Sequence, residues 1–534
     1  MRRLALALTR PLVTSSHHIH AVKPFTTTRL ITMSSSRSYT EALAQLNTLV
    51  PNLKIHALFN TPKPTSSPST TTTTAAAATK NADPNALAIP EMRAWLTRAA
   101  LTPSQLSTMS YIHVAGTKGK GSVTALTTAA LLSSTPGPVG TYTSPHLVSP
   151  RERIAINGAP VSQSLFADHF FRLWDSLSAQ PADAALGIEA GSKPFYFRFL
   201  TLLALRIFLA EGVRSAVIEC GIGGEHDATN ILPAGAVTAS IITQLGIDHV
   251  AMLGSTAESI AWHKAGVMKP RVPTFTRLMP HQPGVMSVLR TRAAETAAEL
   301  VQVADDTVTS WTGVPGAKLP GGEFQKRNQA LAALAAHHHT QLLQGKTTRP
   351  SSSLDHVPDA IIAGLREATL RGRHEVIHHG SVAWHLDGAH NEDSLAEVAR
   401  WIAPLIAAEG DRLVLVFNQQ ERDASGLLLG FLRQLGELGA DIRGKLAHAI
   451  FTRNDATRVQ DADLRVQQKC AEALAAAFPG VTTSVCADLA EMKSVVDHVT
   501  ASSRQAGHEV KVLVTGSMYL VGNTIGFLEP DSLS

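Results

Sequence analysis

Gly116-Thr117-Lys118-Gly119-Lys120-Gly121-Ser122 is the segment of the chain best equipped to do chemistry. Its residue types suit phosphate. Glycine lets a backbone approach a ligand closely and take positive φ. Free backbone N–H groups and a helix N-terminus attract anions, and Lys120 adds a charge that reaches outer phosphates. The flanks have the order such a site requires: Tyr111-Ile112-His113-Val114-Ala115 reads as an apolar strand and Ser122-Val123-Thr124-Ala125-Leu126-Thr127 as a helix start. The common pattern ends Gly-Lys-Ser/Thr, whereas here Gly121 separates Lys120 from Ser122. A plain glycine turn needs no such flanks, so Gly119, Lys120, Gly121 and Ser122 are read as an ATP phosphate site.

Other chemistry-bearing residues stand at strand ends. Glu219 closes Val217-Ile218-Glu219 and precedes Cys220-Gly221-Ile222-Gly223-Gly224, where a carboxylate can hold Mg²⁺ on nucleotide phosphates. His249, in Leu245-Gly246-Ile247-Asp248-His249, follows another strand and is a second metal-ligand candidate. Lys264, within Trp262-His263-Lys264-Ala265-Gly266, reads on its own residues as a lysine on a solvated helix face. Ser144-Pro145-His146-Leu147, leading to Arg151-Glu152-Arg153-Ile154, reads as a proline turn before a hairpin. Gln325 and Asn328 share a helix face at i, i+3 spacing, with amides able to read an adenine edge or a ribose. Later come Arg371-Gly372-Arg373 and Trp384-His385-Leu386-Asp387-Gly388-Ala389-His390-Asn391.

These motifs, in this order, resemble the Mur-ligase superfamily, and within it the branch of folylpolyglutamate and dihydrofolate synthases. The resemblance covers roughly residues 38–58 and 88–528. It implies an ATP-dependent ligase that adds L-glutamate to the γ-carboxyl of a reduced folate through an acyl phosphate. By it, Ser144 and Glu219 hold a first Mg²⁺, with Ser122 a competing ligand from first principles. His249 and a carbamylated Lys264 hold a second Mg²⁺, although the family often has Glu where this chain has His263. Lys120, Lys264 and His390 carry catalysis; Gln325, Asn328, Arg373 and Asp387 line the nucleotide; Ser144, Pro145, His146 and Arg151 meet the folate. The resemblance also admits a monovalent cation such as K⁺. Dihydrofolate synthesis from dihydropteroate, or non-catalytic ATP binding by a regulatory protein, are the alternatives. Ser38-Tyr39-Thr40-Glu41-Ala42-Leu43 favours the polyglutamylating branch. Glu219, His249 and Lys264 together argue against a plain binder, which needs no second metal.

Short apolar strands must alternate with helices to hold these residues, which predicts an α/β fold. A P-loop domain of Mur-ligase type with a largely parallel sheet is expected over 41–345, and a smaller Rossmann-like α/β domain over 359–534. Residues 346–358 read as the connection, and 61–89 as a low-complexity insertion rich in Thr, Pro, Ser and Ala. A cleft between the domains is then the natural active site. Hydrophobic content of 44% and charge of 17% suit a globular protein. A net charge of +4 over 534 residues makes no case for nucleic acid. Three scattered cysteines give no disulfide framework or zinc site, and no apolar run is long enough for a transmembrane helix. A monomer with small-molecule partners is expected. Residues 1–40 lack Asp and Glu but carry Arg2, Arg3, Arg10, Lys23, Arg29 and Arg37, the composition of a mitochondrial transit segment. A second start at Met33 would leave a cytosolic form, so both mitochondrial (matrix or inner-membrane associated) and cytoplasmic locations are expected.

Overall fold

The computed structural model describes residues 37–50, 85, 87–319, 321–347, 349–419, 423–456, 459 and 461–530. Most of the expected transit segment and of the low-complexity insertion lies outside these residues.

Two sheets carry the fold. The first has eight strands: β1 (Ser110–Ala115), β2 (Val139–Tyr142), β3 (Ile154–Ile156), β4 (Ala159–Pro160), β5 (Ser215–Glu219), β6 (Val237–Ile242), β7 (Pro273–Arg277) and β8 (Glu299–Val303). Their order is β4-β3-β2-β5-β1-β6-β7-β8. Pairing is parallel from β2 through β8, and only the β3 and β4 edge runs antiparallel. Every residue of β5 and nearly every residue of β1 is buried. Continuous apolar strands of this kind belong to a sheet covered on both faces.

The helix α1 (Lys120–Ser134) follows β1 and packs its Val123, Leu126, Ala130 and Leu131 on Ile112 and Val114 of the sheet layer. The helix α2 (Ala257–Lys264) ends at Lys264. The helix α3 (Glu323–Leu343) covers the same face as α1 and buries an alanine-rich stripe from Ala330 to Ala336. Small side chains there let α3 approach the sheet closely.

The second sheet has β9 (Glu375–His379), β10 (Val382–Leu386), β11 (Asp411–Phe417), β12 (Leu446–Thr452), β13 (Thr483–Cys486) and β14 (Glu509–Thr515). Their order is β13-β12-β11-β14-β10-β9, parallel except for the β9 hairpin edge. Both sheets belong to a single compact unit. This is the α/β architecture anticipated from the alternating pattern.

Two local details differ from the expectations. The chain does not leave the first layer after residue 358: the helix α4 (Asp359–Glu367) buries Ile361 and Leu365 against the α1 and α3 layer. Its apolar stripe has that surface to cover. Residues 37–40, given to the basic leader by composition, are folded. Ser38 caps the helix Tyr39–Leu46 in a capping box with Glu41, and Arg37 pairs with Asp175 while lying over the Phe171 ring. Among the described residues no helix is long and apolar enough to cross a membrane.

Candidate active site

The phosphate loop begins where β1 ends. Ala115 stands opposite Ile242 in the parallel register, so Gly116 meets Thr243 on the neighbouring segment. A Cβ on Gly116 would lie 1.8 Å from the Thr243 hydroxyl oxygen, and its φ of +144° also favours glycine. The N–H groups of Thr117 and Lys118 donate to the Gln244 carbonyl at 2.9 and 3.1 Å, tying the loop to the strand beside it. Gly119 is the N-cap of α1, left-handed at φ +85°, with no side-chain cap. The first turn of α1 therefore lacks the side-chain acceptor most helices carry, which is the condition for anion binding. Lys120, Gly121 and Ser122 are partly exposed at that point.

Lys120 and Lys264 converge although 144 positions separate their numbers. Both ammonium groups donate to the Gly116 carbonyl, at 3.0 Å from Lys120 and 2.8 Å from Lys264. Lys264 is 1% exposed: α2 points it inward at the loop, not to solvent as its own residues alone suggest. Burial, with the nearby Lys120 charge second, lowers its pKa to about 8. Asp248 acts in the opposite direction.

Glu219 and Ser144 also come together. Tyr142 pairs with Ile218, so the chain leaving β2 runs beside the end of β5. There the Ser144 N–H donates to Glu219 Oε2 at 3.1 Å. Glu219 is 3% exposed. Burial pushes its carboxyl up to about 7, against the pull of Lys120, the Ser144 N–H and Arg153. A buried carboxylate with one backbone donor and a serine beside it is an oxygen donor set that suits Mg²⁺. The second expected metal fits less well. Lys264 bears an ammonium that donates to a carbonyl, and His249 Nε2 stands 3.5 Å from Asp248 Oδ2 on a side chain one-third exposed. Among the described residues no three His, Cys, Asp or Glu side chains form a metal cage. Only conversion of the Lys264 amine to an anionic oxygen donor would make a ligand of it.

Asp227 belongs to this site and escaped the sequence reading. It is buried and accepts from the Ile222 N–H at 2.9 Å, the Thr229 N–H at 2.9 Å and the Thr229 hydroxyl at 2.5 Å. These bonds fold the loop after Glu219. Burial raises the Asp227 pKa. The loop packs on the end of α2, where a Cβ on Gly224 would lie 2.9 Å from the His263 and Lys264 carbonyls. The visible signal was an Asp two residues before Thr229, the pattern of a turn cap.

The remaining expected residues fall in two groups. Gln325 and Asn328 are buried, with the Asn328 amide donating to Gln325 Oε1 at 2.7 Å. Asn328 borders the phosphate loop, since a Cβ on Gly119 would sit 2.8 Å from its Oδ1. His146 Nδ1 accepts from Arg153 Nε at 2.8 Å, and burial with that guanidinium drives its pKa down to about 3, so it is neutral. Pro145 leads into this contact. Arg151 is buried, donates to the Val161 carbonyl at 3.0 Å and lies over the Tyr39 ring.

On the second sheet, Asp387 follows β10. Its two oxygens accept the N–H groups of Ala389 and His374, each at 2.9 Å, and Arg373 Nη1 lies 3.7 Å away. Asp387 thus shapes the loop that presents Arg373 and His390. The His390 ring meets the Gly388 carbonyl at 3.0 Å through Nδ1, and Gln419 donates to the His390 carbonyl at 3.1 Å. Lys118 of the phosphate loop forms an ion pair with Asp393, just beyond His390. The His390 loop and the phosphate loop therefore face each other.

No family model matches the chain. A curated folylpolyglutamate synthase of Neurospora crassa is 35% identical over 556 residues, covering 98% of this chain and 97% of that protein. A Mycobacterium tuberculosis folylpolyglutamate synthase complexed with ADP superposes with a TM-score of 0.62 at 23% identity, covering 91% of this chain and 99% of that one. A Yersinia pestis bifunctional folylpolyglutamate synthase/dihydrofolate synthase complexed with AMPPNP and a Mn ion gives 0.57 at 24% identity, covering 83% and 93%.

Proposed function

The chain belongs to the folylpolyglutamate synthase family, is an ATP-dependent ligase of folate metabolism, and we propose that it adds L-glutamate to the γ-carboxyl of tetrahydrofolates. The observation that carries this reading is the convergence of Lys120 and Lys264 on Gly116, beside a buried Glu219 bonded to Ser144. A phosphate loop alone binds nucleotide. A buried carboxylate and a second buried amine at the same loop serve a reaction between two anions.

In the proposed chemistry a folate carboxylate oxygen attacks the γ-phosphorus of ATP, and ADP leaves. The glutamate amine then attacks the acyl carbon, phosphate leaves and the amine gives up a proton. The N–H groups at Gly119–Ser122 and the Lys120 ammonium orient the phosphates. Gln325 and Asn328 face the nucleoside side of that loop. Arg373 meets phosphate with a bidentate fork from the opposite sheet, with Asp387 fixing its loop and His390 near the transferred group. Arg151 and His146, held by Tyr39 and Arg153, meet the folate. Ser144 and Glu219 would hold a divalent metal, which would supply charge neutralisation for the reaction of two anions. Use of a second Mg²⁺ rests on carbamylation of Lys264, whose lowered pKa favours the neutral amine that reacts with CO₂. We also propose a monomer, K⁺ as an added cation, and delivery to mitochondria and cytoplasm through alternative starts.

The test is purified full-length protein with ATP, Mg²⁺, labelled glutamate and either tetrahydrofolate or dihydropteroate, with products resolved by length. Extension of tetrahydrofolate by several glutamates is expected. A product from dihydropteroate alone would make the chain a dihydrofolate synthase. Nucleotide binding with no incorporation would leave only the regulatory reading.

A further inference from the structure

The loop that brings Ser144 to Glu219 also reaches into the second sheet. It is braced along its length: the N–H groups of Leu147, Val148 and Ser149 all donate to the Glu152 carboxylate, at 2.9, 2.9 and 2.6 Å, and Arg153 Nε donates to His146 Nδ1 at 2.8 Å. At one end the Ser144 N–H holds Glu219. At the other, Leu147 and Val148 pack on the apolar core beneath β10 and β14, which contains Trp384, Leu386 and Val521.

Leu147 enters a socket made by two glycines. A Cβ on Gly372, at φ +66°, would lie 2.9 and 3.2 Å from the two Leu147 methyl carbons. A Cβ on Gly522 would lie 2.2 Å from the Leu147 carbonyl oxygen. A side chain at Gly522 would push the loop backbone out, and one at Gly372 would displace the Leu147 methyls. The rim of the socket is the nucleotide loop itself. Gly372 adjoins Arg373, and its carbonyl accepts the Gly388 N–H at 3.0 Å, next to Asp387. Only backbone bonds and one side chain separate Glu219 on the first sheet from Arg373 on the second.

We propose that Leu147 is a positioning residue, a peg that makes the placement of Ser144 at Glu219 depend on the placement of Arg373 and Asp387. A rigid loop anchored at both ends transmits displacement, because packed interfaces shift between discrete arrangements. Nucleotide held from the second sheet would thereby set the carboxylate and serine that receive the metal. The proposal rests on the assignment of Ser144 and Arg373 above.

A double-mutant cycle reads this directly. Affinity for the β,γ-methylene analogue of ATP in Mg²⁺ is measured for Ser144→Ala, Arg373→Ala and the double variant. The cycle is repeated in a Leu147→Ala background, or Leu147→Val should the alanine variant not fold. With Leu147 in place, the two losses should depart from additivity by about fivefold or more. In the Leu147→Ala background they should multiply within about twofold, and Leu147→Met should restore the coupling. Losses that multiply already in the otherwise native chain overturn the proposal. So does coupling that persists without Leu147, since Leu147 would then be packing only. Because the readout is binding, absence of glutamate incorporation would sink the ligase reading while leaving the peg standing.

Discussion

Glu219→Gln should stabilise the metal-free protein at alkaline pH and remove its response to Mg²⁺. Burial lifts the folded carboxyl to about 7 from an ordinary 4.5. Between those values the unfolded chain has released its proton and the folded chain still holds it. Folding then takes up a proton, so this group's contribution to stability declines as pH rises through the window and is level above about 7. A gap of about 2.5 pH units, at about 1.4 kcal/mol each, puts the cost of the folded anion at about 3.5 kcal/mol. The amide keeps the shape and an acceptor for the Ser144 N–H but carries no charge. With an unfolding entropy of about 2 cal/mol/K per residue over this chain, the gain corresponds to about 3 °C in Tm. Mg²⁺ competes with the proton, so its apparent affinity should weaken about tenfold per pH unit below about 7. The assay is scanning calorimetry of both proteins at acid and alkaline pH, in EDTA and in millimolar Mg²⁺. The variant should melt higher in EDTA at about pH 8, match the native protein near pH 4.5, and gain nothing from Mg²⁺. A variant no more stable than the native chain at pH 8 in EDTA, or one equally stabilised by Mg²⁺, would refute the electrostatic account of this site.

Lys264→Ala should cut ligation about a hundredfold or more while the protein still melts cooperatively, and a short carboxylic acid should restore part of the rate; near-native turnover would remove Lys264 from the mechanism. Because the neutral amine is the form that captures CO₂ and Lys264 is lowered to about 8, preincubation with bicarbonate should raise native activity more at pH 8 than at pH 6, and an effect of equal size at both would contradict that role. Gly364→Ala should destabilise by about 1–3 kcal/mol, since its Cβ would lie 2.3 Å from the Ala129 carbonyl oxygen in α1; an unchanged Tm would show that α4 can slide on α1. A fluorescent fusion of residues 1–40 should enter mitochondria and a product begun at Met33 should stay cytosolic, with diffuse signal from the longer fusion as the contrary outcome.

What the sequence made legible was chemistry that local geometry alone arranges. The strand, glycine turn and helix at 110–134 could be read because glycine spacing, a strand and a helix start are all contiguous. Glu219 could be found because a carboxylate at a strand end is visible in the strand's own pattern. The strands at Val237–Ile242 and Leu413–Phe417, and the helices at Phe199 and Val466, follow from apolar periodicity in the same way. Contacts across the fold were not legible. On its own residues Lys264 read as solvated, and only the family resemblance singled it out, because nothing in α2 reveals that its last turn faces Gly116. Asp227 drew no reading because its partners matter only once the Glu219 loop is seen to wrap α2. Leu147 read as one apolar residue in a turn because its socket glycines lie more than two hundred positions away in number. The domain boundary at 359 was drawn before a helix that packs on the first layer for the same reason: local sequence does not show which surface a segment covers.

Those long-range contacts explain an electrostatic feature that no motif states. Lys264 and Glu219 are both driven toward neutrality, one down to about 8 and the other up to about 7. Burial is the first cause in each. At mildly alkaline pH the pocket can therefore shed a positive charge cheaply, by releasing a proton from the Lys264 amine. Two like charges, from Lys120 and Lys264, otherwise crowd a single carbonyl. A polyanion and a cation arriving together reverse that situation, since the polyanion is the counter-charge for the lysines and the cation is the counter-charge for Glu219. On the proposed function the site is thus least strained when nucleotide and metal are both present, and the proposed Leu147 peg would link the Arg373 loop of the second sheet to the Ser144–Glu219 pair of the first.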